Sequence, residues 1–370
     1  MTRSIVDLAG SDWRLGQAPP NAVPEKATWQ EIEHVREWVP ATVPGNVRAD
    51  LVQAGALPDL YVGLNSRESQ WVDDHCWWLV RDFSRQAAEP SSAHLALEGV
   101  DYISDLFLNG QHLGRHEGMF SSQVHDVTEL LRDDNRLAVR IVGSKWLPDD
   151  RSSAWEKLLN EMESRLGQLA ASHPHRRDTL KCQMSFGWDF APDLRPIGIW
   201  KGVSLILSHH VFLQRIWVSQ DTSAERATIT IRAQVDARGP HQVRLCCTLE
   251  GKTFEEDPLV METVAELPPG SSSHTMEMVV PQPRLWWPWD LGRPDLYRLT
   301  VEVVEEGETL DALTETVGLR QVEFDDWTLQ VNGSPIYARG ANWVPADILP
   351  RTVRDADDQT LLARAREANM

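Results

Sequence analysis

Trp188 is followed by Asp189, and Trp343 is preceded by Asn342, in a chain whose 370 residues hold 16 Trp against 4 Tyr. An indole is costly to bury unless its N–H finds a partner, and it suits sites that need a flat ring with one polar edge. Sugar rings present an apolar C–H face to such surfaces. A carboxylate beside an indole can accept hydrogen bonds from two vicinal hydroxyls while the ring stacks on that face. Taken alone, Trp188-Asp189 reads more readily as a loop Asp capping a turn beside a tryptophan wedged in a core.

Other reactive residue types fall into less productive patterns. Cys76, Cys182, Cys246 and Cys247 match no paired zinc spacing, so we read them as free thiols in a reducing compartment, which suggests the cytoplasm. His173, His175, His209 and His210 have no carboxylate or cysteine at ligand spacing and read as solvated surface, so no metal or cofactor is expected. Glu98 and Asp101 flank Gly99-Val100 and read as turn residues rather than a catalytic pair. The chain shows no phosphate-binding or nucleophile-elbow motif.

The elements that must position these residues are short strands. Residues 76–83, 94–97, 103–108 and 136–142 are rich in β-branched and aromatic residues, and Asn109-Gly110 supplies a type I′ hairpin turn. Regular antiparallel strands joined by turns imply a sandwich or a jelly roll over 1–210. One helix is expected at 155–169, where Trp155, Leu158, Leu159, Met162, Leu166 and Leu169 share a face. Strands at 228–235, 243–249, 276–280 and 299–304 imply an immunoglobulin-like sandwich over 211–320. From 321 to 370 the pattern becomes strand, Asn332-Gly333 turn, loop and then helix. That helix carries no stop signal at Arg366-Glu367-Ala368-Asn369-Met370, so we read the segment as a truncated first βα unit.

Composition narrows the partners. A formal net charge of −19 opposes binding to nucleic acid or to an anionic membrane. No apolar run approaches the roughly 20 residues needed to span a bilayer, and the start does not read as a signal peptide. The sequence is silent on oligomeric state.

Four stretches, in order, resemble β-mannosidases of glycoside hydrolase family 2. They are Val43-Pro44-Gly45 with Asn65 and Trp71; His175-Arg176, then Lys181 to Phe190 with Gly198-Ile199-Trp200-Lys201; Leu285-Trp286-Trp287-Pro288 with Gly292, Pro294, Leu296 and Tyr297; and Gly340 to Asp347. The resemblance implies a mainly β chain: a galactose-binding-like jelly roll, an immunoglobulin-like sandwich and the opening of a (β/α)8 barrel. It implies an exo-acting hydrolase that removes terminal β-mannose with retention, through two carboxyls roughly 5 Å apart. Both glutamates belong to later barrel strands, so no catalytic residue is named and residues 1–370 are expected to be inactive alone.

The same resemblance gives Trp188, Asp189, Asn342 and Trp343 contacts to the terminal sugar of a β-mannoside oligosaccharide, with Trp343 at the C-terminal end of the first barrel strand. Asp347 could touch substrate or start a turn. Two alternatives stay open: a family 2 hydrolase for another sugar, such as an exo-β-glucosaminidase, or a stand-alone lectin-like sandwich protein. A purely structural or adhesive role rests on architecture alone.

Overall fold

The computed structural model describes residues 3–85, 91–147, 178–188, 191–349 and 355–370, together with Met162. Its first unit is a sandwich of two antiparallel sheets. One has the order β1 (Ser4–Asp7), β12 (Val203–Ser208), β5 (Ser92–Leu97), β9 (Gln123–Asp126). The other runs β3 (Trp38–Val43), β2 (Gly10–Gln17), β4 (Trp77–Ser84), β10 (Asp134–Ile141), β7 (Ile103–Leu108), β8 (Gln111–Glu117). Asn109 and Gly110 take φ of 51° and 91° between β7 and β8, as the type I′ turn requires. A two-stranded ladder of β6 (Val100–Asp101) and β11 (Gly198–Ile199) lies beside these sheets.

The six-stranded sheet is covered on both faces. Strand alternation sends Trp77 into the core between the sheets, with Trp13, Leu95 and Leu205. It sends Trp78 into a second cluster with Tyr102, Phe107 and Phe186. Each buried indole satisfies its N–H: Trp13 donates to Leu8 O at 2.8 Å, Trp77 to Val72 O at 2.9 Å and Trp78 to Glu31 Oε2 at 3.3 Å. Part of the tryptophan excess is therefore core wedging. The helix expected at 155–169 falls outside the described residues, save Met162.

The second unit packs β13 (Val211–Thr222), β14 (Arg226–Ala237) and β17 (Gly270–Pro281) against β16 (Leu259–Leu267), β15 (His241–Gly251), β18 (Tyr297–Glu305) and β19 (Glu308–Val317). In β14 the residues Ala227, Ile229, Ile231, Ala233 and Val235 all point inward, the period-2 pattern of a half-buried strand. Arg3 joins the two units. It pairs with Asp311 at 2.8 Å and donates to Leu213 O at 2.6 Å, while His94 stacks on Phe212 with centroids 3.7 Å apart. Arg238 adds contacts to Asp126 at 3.2 Å and Glu129 at 2.9 Å.

A third, three-stranded sheet follows: β20 (Val322–Asp325), β21 (Thr328–Val331) and β22 (Ser334–Ile336), with Asn332-Gly333 turning at φ of 51° and 74°. Helix α1 (Val47–Gln53) belongs to the first unit, α2 (Asn65–Glu68) is a single turn, and α3 (Asp355–Glu367) ends the described chain.

Candidate functional site

The loop that carries Trp188 is anchored on both sides. Before it, Lys181 is buried and donates to Asp101 Oδ2 and to Pro196 O at 2.6 Å. Burial is the leading influence on both partners, raising the Asp101 carboxyl and lowering the Lys181 ammonium from their ordinary values. Asp101 is therefore a buried ion-pair partner in β6 rather than a turn residue. Sequence proximity to Glu98 concealed this, because its partner lies 80 positions away.

After Trp188, two guanidinium groups converge on Asp73. Arg48 pairs with Asp73 Oδ2 at 2.7 Å and Arg195 with the same oxygen at 2.9 Å. Arg48 also donates to the Arg195 carbonyl, and Gln70 donates to Asp193 O at 2.7 Å. The backbone completes the clamp, with Gly45 N on Ile199 O and Val47 N on Ile197 O, both at 2.8 Å. A Cβ on Gly198 would stand 2.5 Å from Gly45 O, so only glycine permits this approach. The Val43-Pro44-Gly45 and Gly198-Ile199-Trp200 stretches thus meet in space.

Between these anchors Trp188 and Ala191 exchange backbone hydrogen bonds of 3.2 and 3.3 Å. The Trp188 ring is 42% exposed, unlike the buried core indoles. Asp189 lies outside the described residues.

Asn342 and Trp343 lie past β22, where residues 337–345 join no ladder among the described residues, and Trp343 is 52% exposed. Trp343 lies seven positions past Ile336, the last residue of β22, and β22 pairs with β21 among the described residues. Just beyond, the segment returns to the first unit. Ile348 and Leu349 are buried in its core, and the Tyr61 hydroxyl donates to Asp347. Partial burial, then the hydrogen bond and charge of Asp347, push the Tyr61 phenol up. Asp347 also caps its own turn by accepting from Leu349 N at 3.0 Å.

The Leu285-Trp286-Trp287-Pro288 stretch ties the third sheet to the second unit. Trp286 N donates to Leu319 O at 2.8 Å, Asn332 Nδ2 donates to Trp286 O at 3.1 Å, and Arg320 lies over the Trp286 ring. Arg339 reaches Asp290 at 2.6 Å. All four resembling stretches therefore make structural contacts, and three of them carry exposed indoles, Trp71, Trp188 and Trp343.

Residues 24–201 match the family model described as "Glycosyl hydrolase 2 galactose-binding domain-like", and residues 211–320 match "Glycosyl hydrolases family 2". The chain belongs to glycoside hydrolase family 2. Family 2 relatives include β-mannosidase B of Aspergillus fumigatus, 28% identical over 327 residues that cover 84% of this chain and 37% of the relative. β-Mannosidase B of Thermothelomyces thermophilus is 26% identical over 91% of this chain and 40% of its own length. Among solved structures, β-D-mannosidase from Dictyoglomus thermophilum superposes with a TM-score of 0.79 at 30% identity, covering 99% of this chain and 43% of that one. A β-glucuronidase from Bacteroides uniformis, at 18% identity and a TM-score of 0.68 over 98% of this chain and 38% of that one, shares the fold. The chain spans less than half the length of these family 2 proteins.

Proposed function

We propose that this chain is the N-terminal, non-catalytic part of a retaining exo-β-mannosidase, in which Trp188, Asp189, Asn342 and Trp343 contact the terminal β-mannosyl residue. The observation that carries this reading is the β-mannosidase likeness over 99% of the chain. The exposure of the two indoles and the anchoring of both their segments on the first unit support the assignment of contacts. In this reading Trp188 and Trp343 stack on the sugar, Asp189 accepts from vicinal hydroxyls and Asn342 orients one of them. Cleavage would need two carboxyls outside these residues, so the chain binds and positions without hydrolysing. The free thiols Cys76, Cys182, Cys246 and Cys247 support a reducing compartment, the cytoplasm.

The test has two arms. The 370-residue chain is assayed on aryl β-mannoside and titrated with mannose by tryptophan fluorescence. We expect no turnover and weak binding that Trp188→Ala and Trp343→Ala each remove. Turnover above the blank would overturn the non-catalytic reading, and binding unaffected by both substitutions would overturn the site. A longer protein containing this sequence should hydrolyse aryl β-mannoside in preference to β-galactoside and β-glucosaminide.

A further inference from the structure

The second unit holds a cluster that the sugar chemistry does not use. His210 precedes β13, His241 opens β15 and Glu305 closes β18. The Glu305 carboxylate bridges the edges of the two rings, with one oxygen 2.9 Å from His241 Nδ1 and the other 3.3 Å from His210 Nε2. The rings stack with centroids 4.4 Å apart and planes 24° from parallel, so both nitrogens face the same carboxylate. His210 thus belongs to a built cluster rather than to a solvated surface. Its partners lie 31 and 95 positions along the chain, which is why no local spacing revealed them.

From this arrangement we propose a divalent transition-metal site, best suited to Zn2+, with His210 Nε2, His241 Nδ1 and a Glu305 oxygen as ligands. Two imidazoles and one carboxylate form a donor set that zinc takes, with water as the fourth ligand. Tetrahedral bonds of about 2.1 Å place ligand atoms about 3.4 Å apart. The three ligand atoms already lie within 4.8 Å of one another, with one Glu305 oxygen 2.9 Å from His241 Nδ1 and the other 3.3 Å from His210 Nε2, so a modest side-chain adjustment brings them to that spacing. Side-chain exposures of 34%, 19% and 26% leave a path for the ion and its water. Each ring keeps its single proton on the nitrogen that faces away from the ion.

The backbone fixes the geometry in advance. Val211 pairs with Ala237, Arg238 N donates to His210 O at 3.0 Å, and Arg244 pairs with Val304 just before Glu305. Because β13 lies in one sheet and β15 and β18 in the other, a bound ion would clamp the two sheets together beside the junction with the first unit.

The test uses the full 370-residue chain, stripped with chelator and titrated with ZnCl2 at pH 7.5, with CoCl2 as an optical probe. We expect one Zn2+ per chain and a visible Co2+ spectrum of low coordination number. His210→Ala and His241→Ala should each weaken affinity by more than the roughly 10–100-fold typical of losing an outer-shell partner. Glu305→Gln, which can still hydrogen-bond both rings and so preserves the fold, should do the same. Zinc should also raise the melting temperature of the wild-type chain but not of Glu305→Gln. Equal affinity in the wild type and Glu305→Gln, or full binding retained by the His210→Ala/His241→Ala double variant, would show a hydrogen-bonded cluster only and overturn the site.

Discussion

The Tyr61 hydroxyl donates to the Asp347 carboxylate, joining the loop before α2 to the segment that follows Trp343, across 286 positions of sequence. The pair sits on the surface, so its worth lies in placement rather than in stability. Tyr61→Phe should leave the melting temperature nearly unchanged, with a loss of at most about 1 kcal/mol. It should speed backbone hydrogen exchange across residues 340–347. Unchanged exchange there would show that Ile348 and Leu349 hold the segment without the pair.

Lys181 and Asp101 are both fully enclosed, so removing one charge strands the other. Lys181→Met should cost about 3–5 kcal/mol in denaturant unfolding of the first unit. Adding Asp101→Asn to that variant should recover much of the loss, because no uncompensated charge then remains. A double variant as unstable as the single one would mean that shape, not charge, governs this position.

Asp50 is buried in α1, with Oδ1 accepting from Thr42 N at 3.1 Å and Oδ2 without a partner. Burial outweighs the Thr42 hydrogen bond and pushes its pKa up to about 7. The folded pKa therefore exceeds the unfolded value of 3.8, so this group's stabilising contribution is complete below pH 3.8 and lost as pH rises through 7. Asp50→Asn should leave stability near pH 4 almost unchanged and raise it above pH 7 by a few kcal/mol at most, at ~1.4 kcal/mol per pH unit. Paired melting curves at pH 5 and 8 check this; parallel curves for wild type and variant would contradict it.

Trp78 and Trp188 separate the two uses of tryptophan in this chain. Trp78→Ala should destabilise the first unit by about 3–5 kcal/mol, the cost of emptying a large core site. Trp188→Ala should change stability by no more than about 0.5 kcal/mol, as expected of an exposed position. Thermal unfolding of both variants decides the matter, and a large loss at Trp188 would assign its ring to packing.

The strands and hairpins were legible because their signals are local. Asn109-Gly110 and Asn332-Gly333 dictate their turns through positive φ, and the alternation in β14 names its own buried face. Period 2 in β4 sends Trp77 and Trp78 to opposite faces, but the second core behind the sheet has no local signal. The Asp73 clamp, the Lys181–Asp101 pair and the His210, His241 and Glu305 cluster join residues from separate elements. Charge and imidazole carry no periodic pattern, so only topology brings them together.

Burial of Ile348 and Leu349 makes the polypeptide a closed circuit. The chain leaves the first sandwich after Ser208, traverses the second, and comes back to insert these two side chains where it began. A swing of one sandwich about the 209–210 connection would have to pull this return strap out of its seat. Cutting the backbone between Ile336 and Asp347 would therefore remove this strap and leave the junction to Arg3, Arg238 and the His94–Phe212 stack, although the cut lies in neither sandwich.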